Sequence, residues 1–371
     1  MKVVVVGAGV AGTAAAWAAR RAGAEVALVH DRAGASALAS GAADWDRWQA
    51  AAGQHPLEAD AVALASALGY STDPCLVCTA SGVLRPAQGR DRAVLDLTLL
   101  AGRRIGVADL ARDDWDAELI ARALSSSAWA RTTETRFAPR ALALSDVQHA
   151  SSWDLAARFD DPGEREKLAA ELVKGRGEVD AWLCGPWLGT AAGAHEALSQ
   201  RVELPLGEAL SPPGGAAGAR FESARDALLE QAGIETRREA VSEVVVGSGR
   251  IDVHLAGGER WGADRLVLAL GGVAAGGVRL DEARARFELS LGAPVTLQVD
   301  GLSTDAVSTL HGVDFAAHGP ALLEQVGIAT VGAAALGTPS VFVAGDVMAD
   351  RPRTWLRALV TGLHAGRAAG G

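Results

Sequence analysis

The chain opens on a long apolar run. From Val3 to Ala19 every residue is apolar or glycine except Thr13, and Lys2 precedes the run. Four successive valines, Val3 to Val6, favour an extended strand over a helix. Continuous valine fits a parallel strand covered on both faces. The alanine-rich residues 13–22 form a strong helix, closed by Gly23. Residues 25–29 give a second apolar strand. The pattern predicts a strand–helix–strand unit within about 30 residues. A membrane span or export signal is not expected. Gly7, Gly9 and Gly12 break the run, Arg20–Arg21 follow it, and another strand comes straight after.

The periodicity returns late in the chain. Residues 220–233 read as a helix with Phe221, Ala224, Leu228 and Leu229 on one face. Strands follow at 240–246 and 251–255, with turns at 247–249 and 257–258, and then Trp261. Residues 263–270 form an apolar strand ending in Gly271–Gly272. A further strand from Ser340 ends in Gly345–Asp346, before a helix over 354–369. Between these blocks the signals are a short strand at 104–110 and helices at 115–124 and 164–174. The cluster Pro212-Pro213-Gly214-Gly215 marks a return from that middle region.

Gly7, Gly9 and Gly12 have the spacing G-x-G-x-x-G, between a predicted strand and a predicted helix. The first glycine permits the tight turn. The second lets backbone approach a pyrophosphate, and the third lets helix and strand pack closely. Helix N-terminal N–H groups then face the phosphates. The expected cofactor-binding residues here are Gly7, Ala8, Gly9, Val10, Ala11 and Gly12. An acid normally ends the second strand and holds the ribose. That position carries His30, and the acid, Asp31, comes one residue later; both are candidates.

Helix, hairpin and an apolar strand ending in Gly-Gly resemble the second FAD motif of two-dinucleotide-fold flavoproteins. The resemblance assigns Ala269, Gly271 and Gly272 to the cofactor. It also assigns Gly345 and Asp346, whose strand end binds the ribityl–phosphate part, with the last helix N-terminus facing the flavin. It implies FAD rather than FMN. No second G-x-G-x-x-G occurs, because Gly247-Ser248-Gly249 lies in a hairpin turn. The expected fold is α/β: a Rossmann-like FAD domain with a parallel sheet, helices and a β-hairpin or meander, interrupted by an α/β cap. The FAD domain takes residues 1–45, 216–280 and 320–371. The cap takes 46–215 and 281–319.

The segment from Asp31 to Asp44, with Ser40–Gly41, resembles the B subunit of anaerobic glycerol-3-phosphate dehydrogenase. Further resemblances run in order through Gln54-His55-Pro56, Gly82-Val-Leu84-Arg85, residues 103–110, Leu155 to Asp160 and Leu204-Pro205. They span most of the chain at low identity. The resemblance adds Ser40 and Gly41 to the cofactor set. It implies a cytoplasmic electron-relaying subunit beside a larger flavoprotein subunit and an iron–sulfur subunit, touching the membrane only through partners. The sequence departs from the family after Asp346. A glycine- and cysteine-rich stretch is replaced by Met348 to Arg357, which contains Arg351, Arg353, Trp355 and Arg357. That departure leaves two alternatives: a self-contained flavin dehydrogenase or oxidase of a small organic acid or amine, and a non-catalytic scaffold subunit.

Composition narrows the partners. The chain has 371 residues and a formal net charge of −10, with lysine only at positions 2, 167 and 174. An acidic chain with no basic stripe is not expected to bind nucleic acid. Schiff-base chemistry has almost no candidates. Three cysteines, Cys75, Cys78 and Cys184, make no disulfide framework. Cys75-Leu-Val-Cys78 has an apolar spacer and reads as a buried strand, and no metal site is expected. The candidates for acid–base or anion chemistry are His311, His318 and Arg353. Ten tryptophans accompany a single tyrosine, Tyr70. Trp45, Trp48, Trp182 and Trp187 read chiefly as packing residues.

Overall fold

A computed structural model describes residues 1–46, 56–247, 249–273, 275–281, 286–291, 297–299, 302–303, 326–349 and 351–371. The opening unit forms as its pattern dictates. Strand Lys2–Val6 leads into helix Val10–Arg21 and strand Glu25–His30. The helix begins three residues before its alanine-rich stretch, because Gly9 already serves as the N-cap.

These strands join a seven-stranded sheet. Its order is Glu235–Arg238, Glu25–His30, Lys2–Val6, Arg265–Leu268, Thr338–Val343, Ala334–Ala335, Thr330–Val331. The first five are parallel, and Ala334–Ala335 pairs antiparallel with both Thr338–Val343 and Thr330–Val331. Lys2–Val6 lies at the centre of the five parallel strands. Continuous valine is explained by burial on both faces. Val3 and Val5 face the helices, whereas Val4 and Val6 face the meander of Val241–Val246, Ile251–Leu255 and Arg260–Ala263. All four are at most 5% exposed.

The last helix, Trp355–Gly370, lies along the first. Gly362, Gly366 and Gly370 recur every fourth residue and form the contact ridge. A Cβ on Gly362 or Gly366 would overlap the carbonyl oxygen of Ala11 or Ala15. Gly370 reads from sequence as a tail residue, yet its Cβ would sit 2.8 Å from Ala22 Cβ. Small residues let the two backbones approach closely.

The middle of the chain builds a second layer. Leu206–Glu208, Ala181–Cys184, Arg104–Asp109 and Arg136–Ala141 form a four-stranded parallel sheet in that order. Helices Ala117–Ser125 and Pro162–Lys174 pack in this layer, where the sequence places them within two residues. The second starts sharply because Asp161 accepts from the Gly163 and Glu164 N–H groups and Pro162 holds the first turn. Trp182 and Trp187 are at most 1% exposed in this core. Among the described residues no helix is long and apolar enough to cross a membrane.

His195 marks a pH sensitivity of this layer. Its Nε2 lies 2.9 Å from the Leu206 carbonyl, and its buried Nδ1 has no hydrogen-bond partner among the described residues. Burial holds its pKa below the ordinary value of about 6.5. The unfolded chain therefore takes up a proton that the folded chain refuses, and stability falls as pH drops through 6.5 and below. Thermal melts between pH 7.5 and pH 5 should show a decline that His195→Gln makes shallower; an unchanged slope would refute the assignment.

Candidate functional site

A cleft opens at the carboxyl ends of the central parallel strands. It is lined by the turn from Val6 to Ala11, by His30 and Asp31, by Gly34–Ser36, and by Ala269–Gly271, Asp346 and Ala358. Segments far apart in sequence converge because their strands are neighbours in one sheet. This is where an open α/β sheet offers a crevice to ligands.

The glycine turn is fixed from both sides. The Gly7 N–H donates to the Val29 carbonyl at 2.8 Å, and the Ala269 N–H donates to the Val6 carbonyl at 2.8 Å. Gly7 has φ +107°, and a Cβ there would overlap the Ala269 carbonyl oxygen. Two independent constraints thus demand glycine. The first intrahelical bond runs from the Thr13 N–H to the Gly9 carbonyl at 2.9 Å. N–H groups ahead of Thr13 have no intrahelical acceptor and form an anion-binding end. One of them, on Val10, donates to Ser36 Oγ at 2.9 Å. A Cβ on Gly34 would lie 3.3 Å from Gly9 Cα, so the loop after the second strand closes down on the turn. Ser36 and Gly34 were not singled out by the sequence, although a Gly-x-Ser after the second strand was there to be read.

His30 ends its strand half-buried. Burial lowers its pKa first, and the Arg225 charge lowers it further. A neutral imidazole therefore stands where an acid is usual. Asp31 is engaged elsewhere: its carboxylate takes Arg32 Nε and Nη2, each at 2.8 Å. That hydrogen bonding holds its carboxyl below the usual range.

Several assigned residues shape the cleft without lining it. Gly12 packs beneath the turn, since its Cβ would overlap the Gly7 carbonyl oxygen. Gly345, at φ +72°, sits against Ala11 Cβ, and its N–H donates to Thr361 Oγ1 at 3.0 Å. Ser40 and Gly41 link the two layers. The Ser40 carbonyl accepts from the Ser211 N–H at 2.8 Å, and the Gly41 carbonyl accepts from the Asp91 N–H at 2.7 Å. Gly272 faces Arg353, whose Cζ would lie 2.7 Å from a Cβ there.

The Arg/Trp segment turns inward on the protein. Arg353 Nη2 donates to the Val326 carbonyl at 2.8 Å. Arg357 Nε donates to the Trp45 carbonyl at 2.7 Å, and its guanidinium lies 4.8 Å from the Trp45 ring. Trp355 stacks on Tyr70 at 4.2 Å. The Leu356 N–H, one of the free donors at the start of the last helix, is taken by the Asp44 carbonyl at 3.0 Å. That helix end, expected to face a flavin, carries the chain's own Asp44–Trp45 segment.

The remaining candidates divide simply. His311 and His318, with Trp48, Gln54 and His55, lie outside the described residues. Cys75 and Cys78 belong to the buried strand Cys75–Cys78, and burial pushes both thiols up to about 12. Cys184 is also buried, and its thiol is raised well above its ordinary value. Such thiols stay protonated and unreactive. Among the described residues no cluster of side chains is arranged to hold a metal ion.

Fold and cleft together define an α/β dinucleotide-binding architecture. Residues 2–69, which include the opening unit, match the family model described as glucose inhibited division protein A. No curated protein matches the chain. Iminodiacetate oxidase (IdaA) from Chelativorans sp. BNC1 is 14% identical over 99% of this chain and 93% of that one, with a TM-score of 0.34. A flavocytochrome c3 fumarate reductase in an open conformation is 12% identical over 100% and 78%, with a TM-score of 0.38. The tetracycline destructase Tet(51) is 11% identical with a TM-score of 0.25; the match covers 73% of this chain and 38% of the destructase. The chain thus spans well under half of that protein's length. Likeness at these levels assigns no activity.

Proposed function

We propose that the chain is an FAD-dependent oxidoreductase whose cofactor lies along this cleft. The carrying observation is the convergence of three separate segments on one crevice: the Gly7–Gly9 turn, the Ala269–Gly271 strand end and Asp346. The residues suit an ADP group. Gly7 and Gly9 line the crevice beside the helix N-terminus, where a pyrophosphate would sit, and His30 lines it where a ribose hydroxyl would come. Asp346 stands in the short 3-10 turn Gly345–Val347 that follows strand Thr338–Val343, where the resemblance puts the ribityl–phosphate part. FAD supplies the redox chemistry by accepting a hydride or electrons; the protein holds and tunes it.

The finer reading is a subunit of the anaerobic glycerol-3-phosphate dehydrogenase type, relaying electrons to partner subunits. The Ser40–Gly41 segment supports it, together with the ordered resemblances along the chain. Arg353 and Arg357 are held by the Val326 and Trp45 carbonyls, which weighs against an open anion pocket there. Anaerobic reduction of the FAD-loaded chain tests both levels. Slow or absent reduction by glycerol 3-phosphate alone, and reduction once the partner subunits are added, is the expected result. Rapid reduction of the isolated chain by an organic acid or amine would favour a self-contained enzyme instead.

A further inference from the structure

The Ala216–Gln231 helix carries a charge on its buried stripe. Arg225 lies four residues after Phe221 and four before Leu229, and it is only 4% exposed. Its Nη1 donates to the Ala8 carbonyl at 3.2 Å, inside the glycine turn. Two acids of its own helix orient the fork. Nε donates to Asp226 Oδ1 at 2.8 Å, and Nη1 lies 3.3 Å from Glu222 Oε1. Burying a guanidinium is costly, and an apolar residue would serve the stripe better.

The contact acts on the next peptide. A trans peptide points its carbonyl and its N–H in opposite directions. With the Ala8 carbonyl held from behind by Arg225, the Gly9 N–H points away from the guanidinium, towards the cleft. Among the described residues that N–H has no acceptor. A hydrogen bond accepted at one end of a peptide strengthens the donor at the other.

We propose that Arg225 is a positioning residue for the dinucleotide. It fixes the Ala8–Gly9 peptide so that the Gly9 N–H is aimed at, and polarised towards, the pyrophosphate. The assignment rests on the dinucleotide reading of the cleft, and it deepens that reading by naming the charge that acts behind the turn. Sequence motifs miss it because Arg225 lies more than 200 residues from the glycines it serves.

The test uses the full chain, freed of nucleotide and titrated with FAD, ADP and adenosine. Arg225→Met should weaken FAD and ADP about tenfold, as expected for a charge-assisted hydrogen bond acting through one peptide. Adenosine, which lacks the pyrophosphate, should bind as it does to wild type. Arg225→Lys keeps the charge without the fork and should lose about threefold on ADP. Unchanged ADP affinity in Arg225→Met, or equal losses on ADP and adenosine, overturns the proposal. If the Met variant does not fold, the Lys variant decides, and wild-type ADP binding there is contrary. Wild-type protein that binds ADP but no FAD refutes the flavin reading and leaves Arg225 standing. Wild-type protein that binds neither refutes both.

Discussion

Replacing Arg220 by methionine is expected to destabilise the protein by about 3–5 kcal/mol, the usual cost of removing one partner from a buried ion pair. Arg220 joins the two layers. From the Ala216–Gln231 helix, its Nε donates to Asp91 Oδ2 at 2.8 Å and its Nη2 to Glu208 Oε2 at 2.6 Å. Its Nη1 donates to the Gly189 carbonyl at 2.5 Å. Asp91 is 4% exposed and Glu208 is fully buried. Burial raises the pKa of Glu208, and the Arg220 charge works against that rise. Without Arg220, two carboxyl groups face each other in the interior, and one must take a proton or draw in water. Denaturant unfolding measures the loss. Arg220→Lys, with one charge and no fork, should fall between wild type and Arg220→Met. A methionine variant within about 1 kcal/mol of wild type would show that the triad does not hold the layers together.

Gly12→Ala is expected to abolish cofactor binding and lower the melting temperature. Helix propensity alone points the other way: alanine is better than glycine inside a helix by about 1 kcal/mol. Packing decides the sign. A Cβ at position 12 would overlap the Gly7 carbonyl oxygen and come within 2.8 Å of the Gly7 carbonyl carbon. Both are backbone atoms, and Gly7 is itself held by Val29 and crowded by Ala269. The helix must move off the strand, which displaces the Ala11 and Gly12 N–H groups and the Val10–Ser36 contact that shape the proposed phosphate site. Overpacking of this kind typically costs about 1–3 kcal/mol and outweighs the propensity gain. Calorimetry and FAD titration on the same sample check both consequences. A variant that melts later and binds normally would mean the turn is looser than this geometry.

The opening unit was legible in the sequence because local and global preferences agree there. Four valines need burial on both faces, and the sheet supplies it. The glycine spacing was legible for the same reason, as each glycine answers a contact within its own unit or with the neighbouring strand. The second layer was harder to read. Of its four parallel strands only 104–110 stood out. Arg136–Ala141 contains a proline and three exposed residues, and Ala181–Cys184 has only four residues. The charges that matter most were hidden. Arg220 and Arg225 sit on a stripe with Phe221 and Leu229, and a charged residue at i+4 between two apolar ones was the available signal. Their partners Asp91, Glu208 and Ala8 are brought to them only by tertiary packing. Gly362, Gly366 and Gly370 were likewise mute, because the helix they contact lies at the other end of the chain.

One FAD is expected in the cleft between the Gly7–Gly9 turn, His30 and Asp346. Native mass spectrometry of the purified chain, before and after incubation with FAD, tests it most directly. A single FAD per chain is expected in wild type and none in Gly12→Ala. A wild-type chain that stays colourless and gains no flavin mass would contradict it.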